Sequence, residues 1–366
     1  MPAQKTVFLI ILFFSCVLNS VSSAEEEPWM ILSRAQTALD KGVPGEAMSL
    51  CESAKLMHRQ RVIGMKAELV SALDSAEVRK AGDSIAEVQI VLRERNETSA
   101  LKAIEDSLRM SSGKQSLSSV SGLLKWLDRR VAYPEADFLT GRIYEAEGEI
   151  SFALSYYAKV LDYSDMLYIP DERYTVLYEM SRLSELIGDY NGAEKYLLTI
   201  LSEDELFTAG TGSGSFLSAM MRTLATETTM DKFFLLYRHD YYRGYEAYRR
   251  LSVQYFALGE KGERLTVVSS LAALIAVTRL SHACADADFQ WSYSNISNLM
   301  KRVNELPEVR DWADRNDVWK MLYLYSEILL SGGFKPQAQY ILEVLAENSP
   351  DYTVASAAKN LLMSAR

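Results

Sequence analysis

The sequence predicts an all-α protein made of stacked antiparallel helix pairs, and three observations predict this fold class. Apolar residues recur at three- and four-residue spacing along most of the 366 residues, as at Met180, Leu183, Leu186 and Ile187. The sequence contains no long alternation of apolar and polar residues, which is the pattern of a half-buried strand. Only 18 glycines and 8 prolines are present, so turns are few and the elements between them are long. Because a two-helix hairpin cannot bury its own apolar face, each pair needs a neighbour on which to stack.

The first 24 residues have the features of a signal peptide. Lys5 precedes a short apolar stretch at 7–17, and residues 22–24 (Ser-Ser-Ala) supply the small side chains of a cleavage site. We therefore expect cleavage after Ala24 and export of the mature chain to the periplasm or cell envelope. The alternative is lipidation of Cys16, because this cysteine and the Phe-Phe-Ser before it resemble a relaxed bacterial lipobox that lacks its usual leucine. No later segment reaches the roughly 18 apolar residues of a membrane span, so we expect no span.

The charge balance argues against nucleic acid as a partner. The chain has 39 Lys and Arg against 49 Asp and Glu, a net charge of −10, whereas counterion-driven binding to DNA or RNA needs an excess of basic residues. Four tyrosines share one helical face, which predicts a packed aromatic face and not a platform for single-stranded nucleic acid: Tyr241, Tyr245, Tyr248 and Tyr255.

The residue types needed for catalysis or metal binding are sparse and scattered. After the predicted cleavage two cysteines remain, Cys51 and Cys284, which we interpret as buried apolar residues and not as a disulfide. The histidines lie far apart and outside any His-Glu-x-x-His motif, so surface or capping roles are expected for His58, His239 and His282. We therefore predict neither enzymatic activity nor a bound cofactor or metal.

A recurrent turn is the strongest signal in the sequence. A glycine is followed five residues later by an alanine, and in each case one amphipathic stretch ends at the glycine while a second runs through the alanine. The four copies are Gly42/Ala47, Gly148/Ala153, Gly188/Ala193 and Gly333/Ala338. A degenerate fifth copy keeps Gly259 but has Arg264 in place of the alanine.

These residues resemble the tetratricopeptide repeat, a helix–turn–helix unit with small residues at positions 8 and 20 and a glycine near position 15. The best match places Gly141 at position 8, Tyr144 at 11, Gly148 at 15, Ala153 at 20 and Tyr157 at 24. The small residues would let the two helices approach closely, and the bulky ones would fill the space between repeats. The resemblance implies a superhelical solenoid, although position 8 is elsewhere Ala35, Ser181 and Ser326 and one spacing is 40 residues instead of 34.

The predicted organisation follows these copies and one Gly/Ser-rich segment. That segment lacks the Lys-Ser/Thr ending of a phosphate loop, so we interpret it as a flexible linker. The predicted regions are a signal peptide at 1–24, an N-terminal helical repeat region at 25–130, the best-defined repeat pair at 131–208, the linker at 209–215, and a C-terminal helical region at 216–366 with one degenerate and one clear repeat.

In tetratricopeptide arrays the first helix of each repeat lines a concave groove with positions 2, 5, 9 and 12. In this sequence an aromatic residue, an arginine and a glutamate recur at positions 5, 9 and 12 of two neighbouring repeats. They are Phe138, Arg142 and Glu145 in the first of these repeats and Tyr178, Arg182 and Glu185 in the second. The last copy has an aromatic residue at position 5 again, Tyr323. The pattern fits either a groove that stacks on and charge-pairs with an extended peptide, or a solvated helix face.

Two functions fit this organisation. The first is a non-catalytic scaffold that binds a segment of a partner protein in the periplasm or cell envelope. The second is an envelope ligand-binding component that partners a solute transporter and holds a small molecule in a closed apolar pocket. An open groove with Arg and Glu on its floor would favour the first, and an enclosed cavity the second. The sequence identifies neither the partner nor the oligomeric state.

Overall fold

Helices form nearly all of the secondary structure that the computed structural model describes, which covers residues 26–73, 82–111, 117–209, 215–227 and 229–364. Within these ranges there is no strand, only one isolated bridge between Ser84 and Ser119. The helices pack largely against their neighbours in the chain, so the predicted all-α class with paired helices is confirmed for this part of the protein. The predicted signal peptide at 1–24, with Cys16, lies outside the described residues.

In chain order the α-helices are α1 (Pro28–Asp40), α2 (Pro44–Leu73), α3 (Ile85–Glu94), α4 (Thr98–Ser111), α5 (Val120–Arg130), α6 (Pro134–Ala146), α7 (Ile150–Asp162), α8 (Glu172–Leu186), α9 (Tyr190–Leu201), α10 (Glu205–Ala209), α11 (Ser215–Thr226), α12 (Asp231–Leu236), α13 (Tyr245–Ala257), α14 (Glu263–Ala287), α15 (Ile296–Glu305), α16 (Pro307–Arg315), α17 (Val318–Ser331), α18 (Lys335–Asn348) and α19 (Tyr352–Ser364). Short 3₁₀ turns lie at Ser164–Met166 and Tyr242–Gly244.

The chain divides into two compact units, unit 1 at Met1–Val176 and unit 2 at Leu177–Arg366. The division falls within α8, whereas the Gly/Ser segment predicted as a linker at 209–215 belongs to unit 2. Ala209 ends α10 and Ser215 begins α11, and the residues between them lie outside the described part of the chain. The function of this segment as a linker stays a prediction.

One turn geometry recurs at all five predicted glycines. Their φ angles fall between 74° and 85°, the left-handed region in which a residue with a Cβ is strained. In each turn the N–H of the residue after the glycine donates to the carbonyl five residues earlier, at 2.8–3.0 Å, which is the capping bond of a Schellman motif. The turns at Gly42, Gly148, Gly188, Gly259 and Gly333 join α1 to α2, α6 to α7, α8 to α9, α13 to α14, and α17 to α18.

The small residues around these turns lie where the helices of a pair meet. At position 20 the alanines are completely buried, and at position 8 each pair places a buried Ala, Gly or Ser: Ala35, Gly141, Ser181, Ser252 and Ser326. The hydroxyl of Ser181 donates to the carbonyl of Ala193 at 3.1 Å and so links positions 8 and 20 directly. Arg264, which replaces the alanine in the degenerate copy, keeps an exposed side chain. The burial of these small residues and the contact between Ser181 and Ala193 fit the close helix approach expected at these positions.

In unit 1 the first two helix pairs pack together although 60 residues, 74–133, lie between them in sequence. Ala35 and Ala38 of α1 and Cys51 of α2 share a core with Leu139 and Ile143 of α6. The intervening helices α3, α4 and α5 form a separate core on the C-terminal half of α2, through Val62 and Leu69. Helices α3, α4 and α5 therefore add a side cluster to the two packed pairs.

In unit 2 the centre is α14, which packs against α13, α15 and α17. This 25-residue helix is long and apolar enough to cross a membrane, and 78% of its most apolar window is buried inside the protein. A helix that is apolar on all sides is typical of a large protein core as well as of a membrane span. The absence of a membrane span therefore stays a prediction.

The buried polar residues partly contradict the sequence analysis. His58 and His239 are buried, so a surface position is wrong for both. His58 Nε2 lies 2.8 Å from the carbonyl of Arg130, the last residue of α5, which agrees with the capping role that was the other expectation, and His239 Nε2 lies 2.7 Å from a carboxylate oxygen of Asp204. Only His282 is exposed, as expected. Cys51 and Cys284 are buried and form no disulfide, as predicted, and burial raises the pKa of each thiol to about 11.

Candidate binding grooves

A groove of about 360 Å³ lies in unit 1 along α1 and α6, and we call it the unit 1 groove. Its walls come from the same repeat positions on both helices. Positions 2, 5 and 9 are Trp29, Leu32 and Gln36 on α1 and Glu135, Phe138 and Arg142 on α6. Ser33, Leu139 and Glu172 complete the lining.

The two helices run in the same direction along this groove. Ile31, early in α1, shares a core with Tyr133 and Ala136 at the start of α6, whereas Ala35 shares one with Leu139 and Ile143 further along. A proline occupies the first turn of each helix, where its missing N–H is not needed. Because equal positions lie side by side, the Trp29 and Glu135 end is distinct from the Gln36 and Arg142 end.

Of the candidate residues on α6, Phe138 and Arg142 line the unit 1 groove, whereas Glu145 does not. The Phe138 ring packs against the ring of Tyr157, with 5.6 Å between the ring centroids, and this contact holds Phe138 in place. Arg142 donates from Nη1 to the side-chain oxygen of Gln36 at 2.6 Å, so the two position 9 residues are joined across the groove. Glu145 instead accepts a hydrogen bond from the Tyr157 hydroxyl at 3.2 Å.

The other end of the unit 1 groove is acidic. Glu135 accepts a hydrogen bond from the Tyr168 backbone N–H at 2.7 Å, which ties the loop before α8 to the start of α6. Glu172 in the first turn of α8 lines the groove as well. Burial, and after it the charge of Glu135, raises the pKa of Glu172. Two carboxylates therefore lie close enough to repel each other at this end.

A larger groove of about 770 Å³ lies in unit 2, and we call it the unit 2 groove. The face of α13 at positions 2, 5 and 9 again forms one wall, here as Glu246, Arg249 and Val253. The opposite wall contains Arg182 and Glu185, at positions 9 and 12 of α8. The lining is completed by Tyr190, Arg250, Gln254, Ala257 and Leu258.

The arginines that line the unit 2 groove all form ion pairs. Arg250 pairs with Glu185 at 2.7 Å and joins α13 to α8, while Arg182 pairs with Glu179 one turn earlier on its own helix, also at 2.7 Å. Arg249 donates two hydrogen bonds to Glu246, each of 2.7 Å. Each arginine is therefore held by a carboxylate in a defined orientation.

The rim of the unit 2 groove is apolar and open to solvent. Tyr190, Val253 and Leu258 are 57%, 46% and 67% exposed, respectively. Leu186 and Ile187, at the α8–α9 turn beside Tyr190, are exposed as well. Exposed apolar side chains grouped next to charged ones are typical of an interaction surface.

Two predicted aromatic residues line neither groove. The Tyr178 hydroxyl donates to the Arg243 carbonyl at 2.6 Å and accepts from the Ala247 N–H at 3.2 Å, so this side chain fastens α8 to the start of α13. Burial raises the pKa of Tyr178. Tyr323 lies half-buried on α17, where burial and the neighbouring Glu327 raise its pKa.

The sequence analysis missed several lining residues, above all Trp29, Glu135, Arg249 and Arg250. Extending the same repeat count to position 2, and to the first and the degenerate copies, would have found Trp29, Glu135 and Arg249. Arg250 has no such signal, because it lies at position 6. Among the described residues, no group of three or more His, Cys, Asp or Glu is placed to hold a metal ion.

The sequence is similar to one curated protein over most of both units. It is 32% identical over 330 residues to an uncharacterized protein from Treponema pallidum (strain Nichols), and the alignment covers 90% of this chain and 88% of that protein. No protein-family model matches the sequence.

Proposed function

We propose that this chain, which belongs to one protein family with the uncharacterized Treponema pallidum protein, is a non-catalytic scaffold that binds a segment of a partner protein. The segment would lie in the grooves on the first helices of the helix pairs. The signal-peptide features of residues 1–24 support export, so we place this function in the periplasm or cell envelope.

Tetratricopeptide-like repeats are the architecture that we propose for the chain. The five identical glycine turns and the buried small residues at positions 8 and 20 support this interpretation. A solenoid of such repeats would present its first helices as a continuous lining, which is how repeat proteins form extended binding surfaces.

One observation carries the proposal. Positions 2, 5 and 9 of three different first helices, α1, α6 and α13, line open grooves, and together these positions supply both apolar and charged side chains. A solvated helix face has no reason to form a cavity at the same positions in separate helix pairs. Extended or helical segments of partner proteins are commonly bound in grooves of this kind, where pockets for single side chains give specificity.

The open rims favour a protein partner over the alternative, a small-molecule carrier that works with a transporter. Small-molecule sites usually enclose most of their ligand and are lined mainly by apolar residues. Both grooves here have exposed rims, at Trp29 and at Leu258, and each carries at least one arginine and two carboxylates in its lining.

The test compares the affinity of arginine variants for a partner recovered from envelope extracts. Arg142→Ala/Arg182→Ala should weaken binding by roughly 2–4 kcal/mol, because desolvated arginine–carboxylate contacts often dominate such interfaces. The matched control is Arg109→Ala/Arg315→Ala. These arginines are exposed, lie one in each unit, and pair with an acid one turn away on their own helix. Equal affinities of the two double variants, with equal melting temperatures, would contradict the proposal.

A further inference from the structure

The acidic end of the unit 1 groove combines three features that point to one ligand chemistry. Trp29 is 60% exposed and so presents part of its indole ring to solvent in the groove. Glu135 and Glu172 bring two carboxylates to the same end, and the Glu172 carboxylate has no hydrogen-bond or ion-pair partner among the described residues. An aromatic face next to carboxylates attracts a cation, because both the ring and the acids present negative potential.

The arginine in the groove does not cancel this field. Arg142 lies seven residues after Glu135 on α6, which places it about 10 Å further along the helix at 1.5 Å per residue. Its guanidinium is held at that end by Gln36. The lining thus contains two carboxylates at one end and one guanidinium at the other.

The size of the groove limits what can bind. About 360 Å³ is at the small end of ligand cavities, which hold roughly 300–1,000 Å³. This volume suits a single long side chain with its flanking backbone. The chain as a whole carries a net charge of −10, which steers cations toward it.

We propose, resting on the function proposed above, that the unit 1 groove takes a lysine or arginine side chain of the partner's segment at the end lined by Trp29, Glu135 and Glu172. The aliphatic stem lies along Trp29 and Leu32, and the cationic head pairs with Glu172. The position of Arg142 favours an acidic or amide side chain further along the same segment.

The test uses short peptides as probes and Trp29 as the reporter. The protein, which has five tryptophans, is labelled with 5-fluorotryptophan, and a Trp29→Phe sample identifies the Trp29 fluorine resonance. Acetyl-Gly-Lys-Gly-amide at up to about 10 mM should shift this resonance in a saturable way, whereas the matched glutamate and norleucine peptides should leave it unchanged.

A charge-matched pair of variants separates the site from general attraction. Glu172→Gln should lower the affinity for the lysine peptide at least threefold. Glu147→Gln, which removes the same charge from the exposed α6–α7 turn, should leave that affinity unchanged. Lowering the pH should also weaken binding of the lysine peptide, because protonation of Glu172 removes its charge and the pKa of this carboxyl is raised.

Three results would overturn the assignment: no shift of the Trp29 resonance with the lysine peptide, an equal shift with the norleucine peptide, or equal affinities of the two glutamine variants. These failures differ from failure of the proposed function. If the arginine variants lose the native partner while the lysine peptide does not bind, only the cation assignment is wrong. If the peptide binds but the arginine variants keep the partner, only the scaffold function is wrong.

Discussion

Replacement of Gly141 by alanine tests helix packing with a one-carbon change. A Cβ at this position would lie 2.4 Å from Cε1 and 2.6 Å from Cδ1 of Tyr157. Ordinary carbon–carbon contacts are about 3.5–4.0 Å, so the ring would have to move by about 1 Å. Tyr157 is completely buried, its ring packs on Phe138 and its hydroxyl donates to Glu145, so a shift of the ring would disturb both of these contacts.

Two effects of opposite sign determine the result. Alanine is favoured over glycine inside a helix by about 1 kcal/mol, while overpacking of a tight core costs about 1–3 kcal/mol. Because two ring atoms clash at once, we expect the upper part of that range and a net loss of about 2 kcal/mol in the free energy of unfolding. Gly64→Ala is the matched control, since Gly64 lies exposed within α2 and its added Cβ would meet no atom within 4 Å. That variant should gain up to about 1 kcal/mol.

Urea denaturation followed by far-UV circular dichroism measures both variants. A Gly141→Ala protein that is as stable as Gly64→Ala would refute the packing argument. The double variant Gly141→Ala/Tyr157→Leu adds a further check, because a smaller side chain at 157 relieves the clash. The two substitutions should then be non-additive by at least about 1 kcal/mol.

Three further predictions follow from the same structure. Ala193→Leu should lower the free energy of unfolding by about 1–3 kcal/mol, because Ala193 is completely buried against Ser181, and a melting temperature like that of the wild type would mean that the repeat register is wrong. Burial lowers the pKa of His58 from 6.5 to about 4, so the unfolded chain binds a proton at this imidazole more tightly than the folded chain does. The folded state should therefore be fully stable above pH 6.5 and should lose about 3 kcal/mol of its free energy of unfolding as the pH falls to 4. Urea midpoints across that range should fall less steeply for His58→Gln, and equal slopes would contradict the assignment. Intact-mass measurement on native material should give a chain that starts after Ala24, and a lipid adduct on a chain that starts at Cys16 would establish the alternative.

The helix pairs could be predicted from the sequence because their determinants are local. Each turn needs a glycine with positive φ, and each close approach needs a small residue at a fixed distance from it, so a few residues specify the unit. The packed tyrosine face was predicted in the same way, and Tyr245, Tyr248 and Tyr255 are buried.

What the sequence could not predict depends on long-range contacts. Tyr178 has the spacing of a groove residue, but its hydroxyl bonds the backbone of residues 65 and 69 positions later. His58 and His239 were expected in surface or capping roles, but both are buried, and their partners Arg130 and Asp204 lie 72 and 35 residues away. Local periodicity contains no information on such pairings. The packing of the first helix pair directly on α6, past an inserted helical cluster, was hidden for the same reason.

Site-specific photo-crosslinking tests the central claim, that the first-helix grooves bind the partner. Benzoylphenylalanine is placed at Trp29, in the unit 1 groove and 60% exposed, or at Phe152, which is 55% exposed on the second helix α7 and lines neither groove. After irradiation in the native envelope, position 29 should give a crosslinked partner that the Arg142→Ala/Arg182→Ala variant no longer captures, while position 152 should give none. Crosslinks of equal yield from both positions, or a crosslink at 29 that persists in the double variant, would contradict the account.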